Sequence, residues 1–446
     1  MRRIALVCSV LVFLTLACTK DKMPILIELD NQLRNHVAAS SPDGTLDFYI
    51  LPDEDDLDKI PADPKNPLTT AKVELGKFMF YDTGLAQDAV KPSGIGTYSC
   101  ATCHIPEAGF KPGSFQGIAD GGTGFGINGE NRVRNVEYDE SELDVQDARA
   151  LSLVNVAYVT NTFWNGMFGA TGVNQGTEDV WDLDHATERN HLGFQGIETQ
   201  NFEGLEIHRI TINKDLLDEY GYTEMFDEAF PDIPEEERYT IETASFAFSA
   251  YIRTIISNKA PFQYWLKGDE DAMDYSSKKG AILFFGKANC STCHYNENLG
   301  SPEFHALGVN DMYQQPSYST EEDDFRNLGR GGFTLKDEDL YKFKVPGIYN
   351  NADSDFFFHG ASVKKIEDLV EYFDKAIPEN PNVPESQISL KFKALNLTAE
   401  EKAHLVQFLK VGLHDPNLER YKPPYIPSGF CSPNADPQSI IDLGCD

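Results

Sequence analysis

The 446-residue sequence predicts a mainly α-helical protein built as two similar helical domains. Two observations carry this. Apolar residues recur at helical spacing in several stretches, while strand patterns are few. One layout also occurs twice: a helix, then Cys-x-x-Cys-His, then a loop and a further helix, with the two motifs 190 residues apart.

Taken in order, the chain starts "MRRIALVCSVLVFLTLACTK". Arg2 and Arg3 precede an apolar run, Ile4 to Leu16, too short to span a bilayer and suited to export. A small residue before Cys18 reads as a lipoprotein signal over residues 1–18, with an ordinary signal peptide cut nearby as the alternative. The protein is therefore expected in the periplasm or cell envelope, lipid-anchored at Cys18. Residues 19–66 are polar, acidic and Pro-rich and read as an acidic tether and irregular arm.

The N-terminal domain is expected over 67–258. It opens with "LTTAKVELGKFMFYD", which gathers Val73, Leu75, Phe78 and Phe80 on a helix. The first motif, Cys100-x-x-Cys103-His104, is followed by a Gly-rich loop. Its "GFGING" lacks a preceding strand and a following helix, so it is not a nucleotide-binding turn. "ARALSLVNVAYVTNTFWNGMFG" ends near Trp164, and the polar segment 166–195 reads as an inserted loop, lining a substrate entrance or a dimer face. "IETASFAFSAYIRTIIS" is amphipathic, with Ile241, Ala244, Phe248, Ile252 and Ile255 on one face.

The C-terminal domain is expected over 259–415. "SNKAPFQYWLKGDED" reads as a linker, and "SSKKGAILFFGKANCSTCH" as a helix running into the second motif, Cys290-x-x-Cys293-His294. "LTAEEKAHLVQFLKVGL" closes the domain, Thr398 and Glu401 forming a capping box. In the tail, 416–446, Cys431 and Cys445 are expected to pair as a disulfide in an oxidising compartment.

Net charge is -33. That excludes the usual basic nucleic-acid surface and adhesion to anionic lipid, and permits a basic protein partner. Membrane association is expected only through the lipid anchor.

Cys-x-x-Cys-His is the attachment pattern of c-type haem. Two thiols add to the two vinyl groups, and the adjacent imidazole becomes an axial iron ligand. A redox Cys-x-x-Cys needs a βαβ context, which is missing. A four-cysteine zinc site needs the two pairs to converge and leaves both histidines unexplained. Each half is therefore expected to be a cytochrome c-like helical domain around one covalently bound haem c, with Cys100, Cys103, Cys290 and Cys293 attaching the two haems and His104 and His294 as iron ligands. After His104 no histidine follows until His185, and Met167 is the only methionine before it, so the first haem is expected to have an open or weakly occupied distal side. For the second, Met312, His305, His359, His404, His414 and several tyrosines are available.

These segments resemble the bacterial di-haem cytochrome c peroxidase and MauG family over roughly residues 68–413. The resemblance rests on "VELGKFMFYD", "YSCATCH", "LSLVNVAY…FWNG", "AYIRTIISNKAPFQYWLKGD", "GAILFFGKANCSTCH…FHALGV" and "YKFKVPGIYNNADSDFFFHGASVKKIEDLVEYF". It implies that the haem on His104 is peroxidatic and that the haem on His294 takes electrons from a small redox donor, such as a c-type cytochrome or cupredoxin. It places Trp164 between the haems. It implies a glutamine and a glutamate over the open iron, Gln200 and Glu206 here, with Glu203 and Glu198 as rivals and His208 able to assist. The family's distal methionine is missing; its place falls near Phe373, and Tyr372 beside it is the candidate sixth ligand. An interdomain calcium is implied, but its asparagine ligand falls near Arg149 and Ala150. A homodimer is a further expectation.

The reading that follows is an exported di-haem peroxidase reducing hydrogen peroxide to water. The alternatives are a MauG-like oxidase acting on a protein or small organic substrate, and a di-haem electron carrier without turnover.

Overall fold

The computed structural model describes residues 24–445. The expected export signal, with Cys8 and Cys18, lies outside the described residues. The described chain is mostly helical. Its strands are two-residue pieces in two antiparallel pairs: β1 (Gly122–Thr123) with β2 (Val133–Arg134), and β3 (Phe304–His305) with β4 (Phe343–Lys344). Among the described residues no helix is long and apolar enough to cross a membrane.

The helices that position the site are α1 (Pro24–Ser40), α2 (Thr70–Tyr81), α3 (Gly196–Ile207), α4 (Ile241–Arg253), α5 (Tyr275–Phe285), α6 (Ile366–Lys375) and α7 (Ala399–Gln407). Their starts follow local chemistry. The Thr69 hydroxyl accepts from the Lys72 amide at 3.2 Å, and the Asp274 carboxylate from the Ser277 amide at 2.8 Å. Thr398 and Glu401 form the expected capping box, bonding reciprocally at 3.2 and 2.8 Å.

Within the stretch expected to be a tether and irregular arm, residues 24–40 are helical. Leu29, Leu33 and Val37 recur every fourth residue, which puts them on one helical face, and all three are buried. α1 packs on α5. Buried Asp30 accepts from the Trp265 indole at 2.8 Å and pairs with Lys278 at 2.7 Å. Acidic composition concealed this stripe. The stretch expected to be a linker likewise holds a buried helical turn, Pro261–Leu266, in which Phe262 and Trp265 stack at 6.1 Å.

The two motif-bearing parts repeat one packing device. α2 crosses α4 at Gly76, where an added Cβ would stand 1.9 Å from the Ala247 carbonyl oxygen. α5 crosses α7 at Gly280, where it would stand 2.0 Å from the His404 carbonyl oxygen. Only glycine allows backbones so close. Four residues after each glycine, a phenylalanine faces the motif histidine: Phe80 is 6.5 Å from His104, and Phe284 is 6.2 Å from His294.

The segment 166–195 folds as a lobe with its own small core of Met167, Phe168, Val180 and Trp181, closed by Phe333. Arg330 ties it down by donating to the Asn174 side chain at 2.7 Å. The tail turns back onto the Gly-rich loop. Asp436 accepts from Thr123 Oγ1 and the Gly124 amide at 2.8 and 2.9 Å, and Cys431 and Cys445 are joined as a disulfide.

Candidate functional site

Each motif folds as one tight turn. The amides of His104 and His294 bond back to the carbonyls of Cys100 and Cys290, at 3.1 and 3.0 Å. Each histidine is then fixed through Nδ1, His104 on the Phe110 carbonyl at 3.0 Å and His294 on the Leu299 carbonyl at 2.7 Å. Nδ1 donates in both, so Nε2 is left as an acceptor. Burial pushes both imidazoles down to about 4, so they stay neutral, as a metal ligand must.

The four cysteines are not paired as disulfides. Burial pushes Cys100, Cys103 and Cys290 up to about 12, which keeps them protonated. Such thiols are poor redox nucleophiles. Among the described residues, the one group of three possible metal ligands is Cys293, Glu303 and His305, so the two cysteine pairs do not converge on one ion.

Beside the second motif lies a cavity of about 600 Å³. Two apolar clusters meet there. The main core contributes Phe284, whose ring is 6.2 Å from His294, with Ile348, Leu405 and Leu409, and a smaller cluster contributes Leu307, Val309, Phe358, Phe373 and Phe392. Three buried cations, Lys111, Arg149 and Lys344, also line it, and among the described residues none of them pairs with a carboxylate. Burial pulls Lys111 and Lys344 down to about 7. Arg149 Nε is buried without a hydrogen-bond partner. An apolar slot with unneutralised cations suits a large planar ring bearing carboxylates, so these residues fit a haem.

Trp164 lines this cavity from the first half of the chain. Its indole donates to the Arg149 carbonyl at 2.7 Å, and its own carbonyl accepts from the Lys344 amide at 2.8 Å. The Arg149 side chain joins the two halves. It donates to the carbonyls of Pro112, Ser114, Phe115 and Asp355 and to Ser354 Oγ, at 2.6 to 3.2 Å.

Tyr372 does not line the cavity. Its hydroxyl donates to the Leu307 carbonyl at 2.7 Å, and burial holds that hydroxyl well above the ordinary tyrosine range. Phe373, one position along α6, faces the cavity instead. A one-residue step turns a side chain by about 100°, and that step moves the candidate ligand out of the lining.

The carboxylates on α3 divide by environment. Glu206 is exposed and ion-paired with Arg189 at 2.8 Å. Glu198 is fully buried against Arg253 at 2.6 Å. Burial raises Glu203, which sits 3.6 Å from His185. Gln200 is half-buried on the same helix. His208 caps the end of α3 and differs from all of these. Its Nδ1 bonds to buried Asp144 at 2.8 Å. Desolvation opposes its charge, but Asp144 outweighs that and raises it above the ordinary range. Behind burial, which dominates, the His208 charge contributes to lowering His104, and the Asp144 charge to raising Cys100 and Cys103. Asp144, Lys111 and Lys344 had no signal in the sequence, because each is defined only by neighbours distant along the chain.

Comparison with known proteins follows this geometry. The family model described as di-haem cytochrome c peroxidase matches residues 70–271. The methylamine utilization protein MauG of Methylorubrum extorquens is 25% identical over 356 residues, covering 79% of this chain and 81% of that protein. The cytochrome-c peroxidase IdrP1 of Denitromonas iodatirespirans is 26% identical over 395 residues, covering 84% and 89%. A solved MauG-like protein associated with microbial copper homeostasis superposes with a TM-score of 0.55 at 22% identity, over 83% of this chain and 97% of that one.

Proposed function

This chain belongs to the di-haem cytochrome c peroxidase and MauG family and is an oxidoreductase, and on that premise we propose that it is an exported peroxidase that reduces hydrogen peroxide to water. In this reading two cytochrome c-like domains each carry one haem c, attached through Cys100 and Cys103 and through Cys290 and Cys293. Electrons enter through the C-terminal haem from a small redox protein, a c-type cytochrome or a cupredoxin. The haem on His104 supplies the redox-active iron at which peroxide is reduced.

The observation that carries the reading is the hydrogen bond between His208, at the end of α3, and buried Asp144 at 2.8 Å. Peroxide cleavage needs one group that takes a proton from the near oxygen and returns it to the leaving one. His208 is suited to both transfers, and Asp144 holds its ring and tautomer. Glu206, the sequence candidate, is committed to Arg189 at the surface; Gln200 remains available to orient peroxide. Trp164, which lines the cavity beside the second motif and donates to the Arg149 carbonyl, is the proposed path between the haems. Export and anchoring at Cys18 rest on the N-terminal pattern.

We read Arg149 as the cation of the junction where the resemblance implies calcium. Its guanidinium already gathers carbonyls from both halves.

One observation favours the oxidase reading. Among the described residues no methionine lines the cavity beside the second motif, and without a thioether ligand a haem loses the effect that raises its potential. Steady-state assay separates the readings. Peroxide-dependent oxidation of a reduced c-type cytochrome or cupredoxin supports the peroxidase. Peroxide consumption without any oxidation of such donors supports the oxidase, and no peroxide consumption leaves the electron carrier.

A further inference from the structure

We propose that the centre on His294 is itself an open ligand site, which takes a small uncharged diatomic molecule on its iron against the apolar wall of Leu307, Val309, Phe358, Phe373 and Phe392. The inference rests on the di-haem reading above and adds to it a second binding site with no acid–base chemistry.

The wall decides the matter. These five side chains belong to one cluster, and all five line the cavity. They supply no nitrogen, oxygen or sulfur. Tyr372, packed behind Phe358 and Phe392 at 5.7 and 5.3 Å, has its hydroxyl committed to the Leu307 carbonyl. Met312 is buried elsewhere and does not line the cavity.

Two histidines other than His294 do line it, and each is engaged at its own place. His305 lies next to Cys293, its Nε2 3.6 Å from that sulfur, so it stands where the ring edge is attached. Both its nitrogens are used, Nε2 on Glu303 at 2.8 Å and Nδ1 on Ser389 Oγ at 3.0 Å. His359 lies flat on Phe343, 3.5 Å between centroids and 10° between planes, with Nε2 on Asp311 at 2.8 Å. Its neighbour is Trp164, at 6.2 Å. Four of the five lining lysines are also engaged: Lys287 pairs with Glu401, Lys391 with Glu303, Lys111 donates to Asn351 Oδ1 at 3.2 Å, and Lys344 lies over the Phe304 ring at 4.7 Å.

Distal polarity and donors decide what an open haem binds. An apolar wall penalises an ionised ligand, which loses its hydration there without compensation. A neutral diatomic pays no such penalty. Peroxide gains nothing either, since no group on this wall can move its proton, so bond cleavage stays with the first centre.

The test uses the holoprotein, its haem content first fixed as the pyridine haemochrome. The fully reduced protein is examined by optical and resonance Raman spectroscopy, then titrated with carbon monoxide. Two five-coordinate ferrous haems and two carbon monoxide per chain are expected. In Phe373→Met, one haem is expected to turn low-spin and the stoichiometry to fall to one. Two haems with a low-spin ferrous haem in the unaltered protein and one carbon monoxide per chain would overturn this inference alone. Fewer than two haems per chain would overturn the di-haem reading and the inference with it.

Discussion

Gly280 lies against the backbone of His404, so close that a Cβ there would stand 2.0 Å from the His404 carbonyl oxygen. Gly76 and Ala247 repeat the relationship at 1.9 Å. Each contact brings the helix before a motif onto a later helix and sets the phenylalanine that faces the motif histidine. Gly280→Ala must push α5 off α7. We expect a loss of about 1–3 kcal/mol or more, as overpacked interiors show, measured as a shift in denaturant midpoint. Gly204 on α3 is the control, since its added Cβ would have its nearest neighbour at 3.9 Å. Gly204→Ala is expected to be neutral or slightly stabilising. Equal losses at both positions would refute the close-approach account.

His208 and Glu206 make opposite predictions for turnover. His208→Gln removes the group held by Asp144 and is expected to lower peroxide turnover by about 10²–10⁴-fold. Glu206→Gln breaks an exposed pair with Arg189, worth less than about 1 kcal/mol, and is expected to change turnover only a few-fold. The pH profile adds a second readout. Asp144 raises His208 above 6.5, against desolvation and the nearby Arg209 charge. The proton-accepting form is the neutral one, so kcat/KM should fall as pH drops through a value above 6.5. His208→Gln should abolish that limb. A profile unchanged in the variant would remove His208 from the chemistry.

Glu54 predicts how the fold responds to acid. Burial alone would raise its carboxyl, but hydrogen bonds from Lys259 and Asn258 and the charge of Arg420 hold it at about 2. Its oxygens accept from Lys259, Arg420 and Asn258, each at 2.8 Å, fastening the arm to the segment between the motifs and to the tail. A carboxyl lower in the folded state than its ordinary 4.5 stabilises above that value, and the contribution is lost as pH falls toward 2. Thermal melts from pH 6 down to 2.5 should show the midpoint dropping below about pH 4.5. Glu54→Gln should melt lower at pH 6 and show a shallower acid drop; a parallel drop in both proteins would place the acid response elsewhere.

Part of this architecture is local and was readable in the chain. The motif turns follow from three-residue spacing, and the start of α7 from Thr398 and Glu401. α1 was hidden because the acidic, Pro-rich run that follows it set the composition of the whole arm, while its stripe, Leu29, Leu33 and Val37, is only three residues. The site is less local. Tyr372 and Phe373 differ by one position, and only packing against Leu307 and Phe392 shows which of them faces the cavity. Asp144 becomes a partner of His208 across 64 residues. Periodicity carries no information about such a pairing.

Arg149 yields the last prediction. Its guanidinium donates to four carbonyls and one hydroxyl drawn from segments 112–115 and 354–355, and its backbone carbonyl holds the Trp164 indole. Burial lowers it to about 9, still leaving it charged at neutral pH. Arg149→Met keeps the stem and removes every donor. Each buried acceptor left unpaired costs about 1–3 kcal/mol, so the variant should melt at a clearly lower temperature. Trp164 loses its fixed acceptor geometry at the same time, so electron transfer between the haems, followed by stopped-flow reoxidation, should slow. If the guanidinium is the cation of the junction, a calcium chelator should leave both the melting temperature and the transfer rate of the unaltered protein unchanged. A fall in either on chelation, restored by calcium, would show that the junction holds a metal and that Arg149 only borders it.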